Sequence, residues 1–349
     1  MVRRITIAIV VFILISAAGL WVLTIPKSIS ASALGPHTPD PGKGRILFHA
    51  GGCASCHASP QQEDKTRLGG GLALRSPFGT FFAPNISPDA TDGIGAWTEA
   101  QFVTALKEGT SPGGEHLYPA FPYPSYQVIS FDDLRDLFAY LKTLPAVQGK
   151  APAHDLPFPF NVRRGVGIWK LLFLSREPFS PDPKGSAALS RGGYLVNGAG
   201  HCAECHSPRN AFGAIIPGLR FTSGPNPTGR GFVPNITQYD LKDWSVNDIA
   251  YLLETGLTPE GDSVGSTMAA LPKKLFSWAV DKPVCESVEP INPNLNGLTP
   301  SDCSYANPRL RASRVYSRGN MAGVLSSTPK LPLSQRSKLA NSSLGDSDG

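Results

Sequence analysis

Two short stretches of the chain combine residue types that can hold a metal cofactor covalently. They are Cys53-Ala54-Ser55-Cys56-His57 and Cys202-Ala203-Glu204-Cys205-His206. In such a C-x-x-C-H run, two thiols one helical turn apart can add to the two vinyl groups of a porphyrin, and the adjoining histidine can bind its iron. We therefore predict two covalently bound haem c groups. The attaching thiols are those of Cys53, Cys56, Cys202 and Cys205, and the proximal iron ligands are His57 and His206.

The competing interpretations of a C-x-x-C pair are a structural zinc site, a thioredoxin-like redox pair and chance. Zinc usually needs two further Cys or His ligands at matching spacing, and a thioredoxin-like pair does not require the following histidine. Two matching motifs in one chain make a chance occurrence a poor explanation.

The surroundings of the two motifs repeat at a spacing of roughly 150 residues. The segment at 84–87, Pro-Asn-Ile-Ser, matches Pro-Asn-Ile-Thr at 234–237. Each is followed by a tryptophan and a helix start of the capping-box type, Thr98 with Gln101 and Ser245 with Asp248. A period this long indicates duplicated domains, because solenoid repeats have periods of about 20 to 50 residues.

The first copy reads as a sequence of short helices. A helix ending in glycine leads into the motif, a second follows Thr98, and a closing helix begins at Ser130 and stops at Pro145. The apolar residues of the closing helix fall on one face, and they are Leu134, Leu137, Phe138 and Leu141. A mostly α domain can wrap a porphyrin, which supplies apolar surface that strands would otherwise bury.

The N-terminal stretch predicts a membrane-spanning helix. Residues 5–25 carry no charge and follow Arg3-Arg4, so the positive end would lie inside. The stretch is either a signal sequence, with Ala31-Ser32-Ala33 as a cleavage site, or an uncleaved anchor, which its length favours. Both options place the body on the periplasmic side of a bacterial inner membrane. The net charge of +5 is spread out, so we expect no nucleic-acid partner.

The order of helix, haem motif, loop and helix resembles class I cytochrome c. From the N-terminal helix to about residue 270, the chain resembles a dihaem cytochrome c, similar to the multihaem cytochrome c subunits of membrane-bound alcohol, aldehyde and gluconate dehydrogenase complexes. The resemblance implies a non-catalytic subunit, which passes electrons from a periplasmic dehydrogenase or quinol to a downstream oxidase or cytochrome. The alternative function is a haem enzyme, a peroxidase or a sulfur-compound oxidoreductase, or else a gas sensor. It would use a first haem without a strong sixth ligand.

The predicted organisation has two tandem class I cytochrome c domains behind the N-terminal helix. The ranges are 1–34 for the signal or anchor, 35–146 for the first domain, 147–186 for a Pro-rich aromatic linker, 187–270 for the second domain and 271–349 for a divergent tail. The linker either lies over both domains, with its aromatic residues at their junction, or offers a docking patch for a partner or the membrane.

The iron ligand on the face of the haem opposite each histidine strongly influences the reduction potential of that haem. Met268 lies 62 residues after His206, where a class I cytochrome places its methionine loop, so we predict that it binds the second iron. Alignment of Gly109 with Gly256 places Phe121 in the register of Met268, and phenylalanine cannot bind iron.

We therefore predict His116 as the sixth ligand of the first haem, which would make that haem the lower in potential of the two. The alternatives are a five-coordinate or water-bound iron, or another histidine, namely His49, His154 or His37. Arg75 and Arg209 are candidates for binding haem propionates, with a solvated surface position as the other interpretation.

The second copy departs from the pattern after Met268. No closing helix can be read beyond that residue, and the sequence is rich in Ser, Asn and Pro, which predicts disorder. Either a disulfide between Cys285 and Cys303 holds a segment that replaces the closing helix, or the reading frame departs from that of the family near residue 270. We expect the frame change.

Overall fold

The computed structural model describes residues 1–226, 231–265 and 268–269. The predictions for the tail, including the frame change and a disulfide between Cys285 and Cys303, lie outside these residues.

The first element is a long helix that contacts the folded body at its C-terminal end. This helix, α1 (Val2–Leu23), has apolar composition and length sufficient to cross a membrane, and none of its residues is buried in the protein. Directly after it, the chain joins the folded body. Thr24 is buried, and the amide of Ile29 donates to the hydroxyl of Thr104 at 2.9 Å.

Five helices build the first half of the body. They are α2 (Pro41–Ala50), α3 (Cys53–His57), α4 (Glu99–Glu108), α5 (Tyr123–Tyr126) and α6 (Phe131–Lys142). Their starts follow from the sequence. Asp40 caps α2 ahead of a proline, Thr98 and Gln101 form a capping box on α4, and Ser130 accepts from the amide of Asp133 on α6.

The core of this half lies where α2, α4 and α6 pack together. The rings of Phe102 and Phe138 stack with centroids 4.7 Å apart, and Leu134 is fully buried between the helices. Helices α2 and α6 approach most closely at Gly44, where an added Cβ would stand 1.9 Å from the carbonyl oxygen of Asp136. Only a glycine permits this crossing.

Strands are short in the described residues. Strand β1 (Ala73–Ser76) pairs antiparallel with β2 (Gly79–Phe82), and β3 (Gly224–Pro225) pairs with β4 (Phe232–Val233). The prediction of a mostly helical fold is therefore confirmed.

The segment 147–186, which we call the strap, joins the two halves and touches both. It contains a turn of 3-10 helix (Arg163–Gly165) and α7 (Val166–Phe173). The ammonium of Lys170 donates to the carbonyls of Glu108 and Gly109 in the first half, and the indole of Trp169 donates to the carbonyl of Phe212 in the second. The strap thus lies over both halves.

The second half repeats the order of the first as far as it is described. Helix α8 (Ala187–Asn197) leads into α9 (Ala203–His206), and a loop joins these to α10 (Val246–Thr255). The predicted capping box of Ser245 and Asp248 begins α10, and Gly256 ends it in the left-handed conformation, as Gly109 ends α4.

Candidate functional site

The first motif forms a single helical turn that presents a metal-binding nitrogen. Gly52 enters this turn with a φ of +56°, which a glycine adopts readily. Nδ1 of His57 lies 2.9 Å from the carbonyl oxygen of Pro84. Because a carbonyl can only accept, Nδ1 carries the hydrogen and Nε2 keeps its lone pair. Burial lowers the pKa of His57, which favours the neutral ring that a metal requires.

The second motif has the same geometry. Nδ1 of His206 lies 2.8 Å from the carbonyl oxygen of Pro234, and burial lowers the pKa of this imidazole too. The histidine carbonyls are also held alike, by the amide of Gly70 on His57 at 2.8 Å and by that of Ser223 on His206 at 3.1 Å. Two separate places in the chain thus orient a histidine as a metal ligand by the same contacts.

The four cysteines of the motifs form no disulfide within the described residues. Burial raises the pKa of Cys53 to about 12 and that of Cys202 to about 11, and it raises the pKa values of Cys56 and Cys205 as well. Neutral thiols in apolar surroundings differ from the low-pKa thiolates of redox-active pairs. Together with the oriented histidines, these residues fit covalent haem c. The described residues contain no cluster of three or more His, Cys, Asp or Glu suited to a metal ion.

The two motifs lie next to each other across the junction of the halves. Nε2 of His201, just before the second motif, donates to the carbonyl of Gly51, just before the first, at 3.2 Å. An added Cβ on Gly51 would stand 3.3 Å from the carbonyl oxygen of Ala199. Burial, then the charge of Glu204, raises the pKa of Cys205, and Cys56 of the first motif adds to the effect.

A carboxylate inside the second motif links the halves. Glu204 accepts a hydrogen bond of 2.6 Å from the hydroxyl of Ser125 in the first half, and its side chain is 12% exposed. Arg209 pairs with the same carboxylate at 2.6 Å and also donates to the carbonyl of Gly213. In this structure Arg209, predicted to bind a propionate, is thus engaged by its own chain. Arg75, the other candidate, is exposed on β1.

The loops that follow α4 and α10 share one hydrogen-bond pattern. Thr110 bridges to His116 in the first loop, and Leu257 bridges to Ser263 in the second. The amides of Leu117 and Val264 close the two loops on the carbonyls of the left-handed glycines. This pattern agrees with the predicted alignment of the loops, which places Phe121 in the register of Met268. Phe121 packs in the apolar cluster that also includes Cys53 and Ala54.

The side chain of His116 does not point toward the first motif, as a sixth ligand of the first iron would have to. Its Nε2 donates to the carbonyl of Thr24 at 2.9 Å, and the ring packs against Gly167 of α7. Its Nδ1 is buried and has no partner among the described residues. The imidazole thus faces the end of α1 and the strap, and it would have to give up these contacts to bind the first iron. Ligation by His116 remains a prediction that this geometry does not support.

The other ligand candidates lie as follows. Met268 is half-buried. His37 bonds to Asp136 through Nε2 at 2.7 Å, and Nδ1 of His154 accepts from the amide of Phe82. The ring of His49 meets that of Phe48 edge to face, at 5.3 Å between centroids.

Sequence reasoning missed four functional residues. The carbonyls of Pro84 and Pro234 orient the histidines, and Ser125 of α5 binds Glu204 of the second motif to the first half. A signal for the prolines was present, since they follow their histidines by 27 and 28 residues within the repeated Pro-Asn-Ile segments. The contact of Ser125 with Glu204 spans 79 residues and left no pattern in the sequence.

Comparison with known proteins adds a family and several relatives. Residues 42–145 match the cytochrome c family. The chain is 45% identical over 274 residues to a protein of Cereibacter sphaeroides described as diheme cytochrome c-type, covering 76% of this chain and 90% of that protein.

Two further relatives are subunits of dehydrogenases. The fructose dehydrogenase cytochrome subunit of Gluconobacter japonicus is 36% identical, covering 68% of this chain and 49% of the relative. The alcohol dehydrogenase (quinone) cytochrome c subunit of Gluconacetobacter polyoxogenes is 32% identical, covering 81% of this chain and 61% of the relative. The chain therefore spans less than two thirds of the length of these two subunits.

Proposed function

Because the chain belongs to the c-type cytochromes, we propose that it is a membrane-tethered, periplasmic electron carrier with two covalently bound haems. The observation that carries the proposal is the pair of matching histidine-to-proline contacts, His57 to Pro84 and His206 to Pro234, each within a C-x-x-C-H motif. An electron carrier needs its iron ligands held in place in both oxidation states, and these contacts fix both imidazoles.

Each half would be a class I cytochrome c domain with one haem. Cys53 and Cys56 would attach the first haem, and Cys202 with Cys205 the second. The repeated caps, loop bridges and left-handed glycines support this reading of the second half. Met268, in the loop of the second half, would bind the second iron opposite its histidine.

The chain's own residues would control how the haems exchange electrons. Bound haem iron supplies a one-electron couple, and no bond chemistry is required of the protein. The contacts of His201 with Gly51 and of Ser125 with Glu204 hold the two motifs side by side, which favours transfer between the halves. Phe121 packs with Cys53 and Ala54 in the apolar cluster beside the first motif.

The names of the relatives support a place in a dehydrogenase complex. A dehydrogenase subunit or quinol would reduce one haem, and a downstream oxidase or cytochrome would accept the electron from the other.

We propose that α1 stays in the mature protein as an anchor. Cleavage after Ala33 would remove Thr24 and Ile29, whose backbone groups satisfy His116 and Thr104 in the folded body. Both groups lie between α1 and the cleavage site, so their packing supports an uncleaved helix.

Counting covalent haems tests the proposal. We expect acid-acetone extraction followed by a pyridine haemochrome assay to find two haems in the wild type. We expect one haem after Cys53→Ala with Cys56→Ala, and one after Cys202→Ala with Cys205→Ala. A single haem in fully matured wild type would contradict the dihaem proposal.

A further inference from the structure

The exposed face of α7 is apolar, as buried helix faces usually are. Ile168, Leu171 and Leu172 are 40%, 50% and 65% exposed, and their spacing places them on one side of the helix. The charged residue of α7 points the other way, since Lys170 is buried and donates to two backbone carbonyls at the end of α4. A helix whose lysine is buried in the protein and whose leucines are exposed indicates that an apolar partner covers the exposed face.

This face begins where α1 ends. The guanidinium of Arg164 donates to the carbonyl of Trp21 at 2.6 Å and lies 4.3 Å from the centre of its indole. At Gly167, an added Cβ would stand 2.8 Å from the carbonyl oxygen of Thr24. The first turn of α7 is therefore packed directly against the last turn of α1.

The length of α1 determines how deep in a bilayer the contact between α1 and α7 would lie. A helix of 22 residues is about 33 Å long, close to the thickness of the hydrocarbon core of a bilayer. Trp21 stands two residues before its end, at the level where tryptophans collect between acyl chains and head groups. Arg164, bonded to Trp21, and the exposed Lys27 would then lie among the head groups.

We propose that the face formed by Ile168, Leu171 and Leu172 rests on the membrane, with its side chains at the boundary of head groups and acyl chains. This inference rests on the proposed anchoring by α1. Its occupant is lipid rather than a protein, because the face is continuous with the end of a helix that the bilayer surrounds. The strap then holds the haem-bearing halves at a fixed orientation to the membrane, instead of leaving them on a flexible tether.

Photocrosslinking in the full-length holoprotein tests this contact. Leu172→p-benzoylphenylalanine places a photoreactive group on the face, and the same substitution at Tyr251 provides the control. Tyr251 lies on α10 in the second half and is 47% exposed. Both variants would be reconstituted in vesicles of phosphatidylethanolamine and phosphatidylglycerol, matched for haem content, irradiated and analysed for lipid adducts by mass spectrometry.

We expect a severalfold excess of lipid adducts at position 172 over position 251. Equal yields, or no lipid adduct at 172, would overturn the proposal. A polypeptide adduct at 172 in native membranes, in place of lipid, would assign the face to a protein partner and overturn it as well. An alkaline carbonate wash of the membranes distinguishes the proposed anchoring by α1 from the proposed lipid contact of α7. Release of the protein would contradict the anchor, whereas retention without adducts would contradict only the lipid contact.

Discussion

At the scale of single residues, the histidines take their roles from the carbonyls that they face. His57 and His206 each donate from Nδ1 to a proline carbonyl, which leaves Nε2 for iron. His116 donates from Nε2 to Thr24, which leaves its buried Nδ1 without a partner among the described residues. One kind of hydrogen bond thus prepares two imidazoles for a metal and ties the third to the anchor.

The proposed ligand of the second iron can be tested directly. We expect Met268→Ala to abolish the weak near-infrared band of a sulfur-to-iron bond and to let cyanide or carbon monoxide bind one haem, because no thioether would remain in the loop. Absorption spectroscopy and ligand titration measure both effects. Met321→Ala is the control and should leave the band unchanged. A wild type that lacks the band would show that Met268 is not the ligand.

The contact between Ser125 and Glu204 should stabilise the packing of the halves. A hydrogen bond to a charged group contributes about 1.5 to 3 kcal/mol, so we expect Ser125→Ala to lower the free energy of unfolding by roughly that amount. Denaturant titration gives the value. Ser175→Ala, which loses only an exposed contact of 3.4 Å, should change the free energy by less than about 0.5 kcal/mol. Equal effects of the two substitutions would contradict the assigned role.

At the scale of helices, the crossing of α2 and α6 depends on one glycine. An alanine at position 44 would collide with the backbone of Asp136, so we expect Gly44→Ala to destabilise the holoprotein by about 3 kcal/mol or more. Thermal or denaturant unfolding followed by circular dichroism measures the loss.

The matched control is Gly193, the counterpart of Gly44 in α8. A Cβ there would meet the ring of Phe179 at 3.5 Å, an ordinary contact, so Gly193→Ala should be neutral or stabilising by up to about 1 kcal/mol. If this substitution were as harmful as Gly44→Ala, the special role assigned to Gly44 in the helix crossing would be contradicted.

Much of the helical architecture could be predicted because its signals are local. The caps at Thr98, Ser130 and Ser245 and the spacing of the motifs lie within a few residues of what they control. The role of His116 could not be predicted, since its partner Thr24 is 92 residues away and belongs to a stretch that reads as membrane helix. Loop alignment placed Phe121 in the register of Met268 but could not show which way the imidazole of His116 points.

At the scale of the whole molecule, the joint between anchor, strap and first half should respond to acid. His116 is 4% exposed, and its pKa is lowered to about 4, first by burial and then by the charge of Lys170, with smaller effects of Arg164 and Arg163. In the unfolded chain the pKa would be near 6.5. The unfolded state therefore binds more protons between these values, and stability is full above about pH 6.5 and falls toward pH 4.

We expect this histidine to account for about 2 to 3 kcal/mol of the stability lost on acidification. His116→Gln, whose amide can still donate to Thr24, should remove that part of the pH dependence. Denaturant titrations of both proteins at pH 7 and pH 4.5 provide the comparison. Lys170, whose pKa is lowered to about 7, titrates at the upper end of this range and is present in both proteins. Parallel pH curves for the two proteins would exclude His116 as the sensitive group.

Four of the contacts that join the parts of the molecule have one feature in common, which is that their side chains bind to main-chain oxygens. Lys170 reaches the carbonyls of α4, Trp169 that of Phe212, His201 that of Gly51 and Arg164 that of Trp21. Every residue type offers the same carbonyl, so the accepting position can mutate without a compensating change in the donor. The halves could thus drift apart in sequence while staying docked. Paired substitutions among relatives should reveal the helix packing inside each half and should not reveal these four contacts.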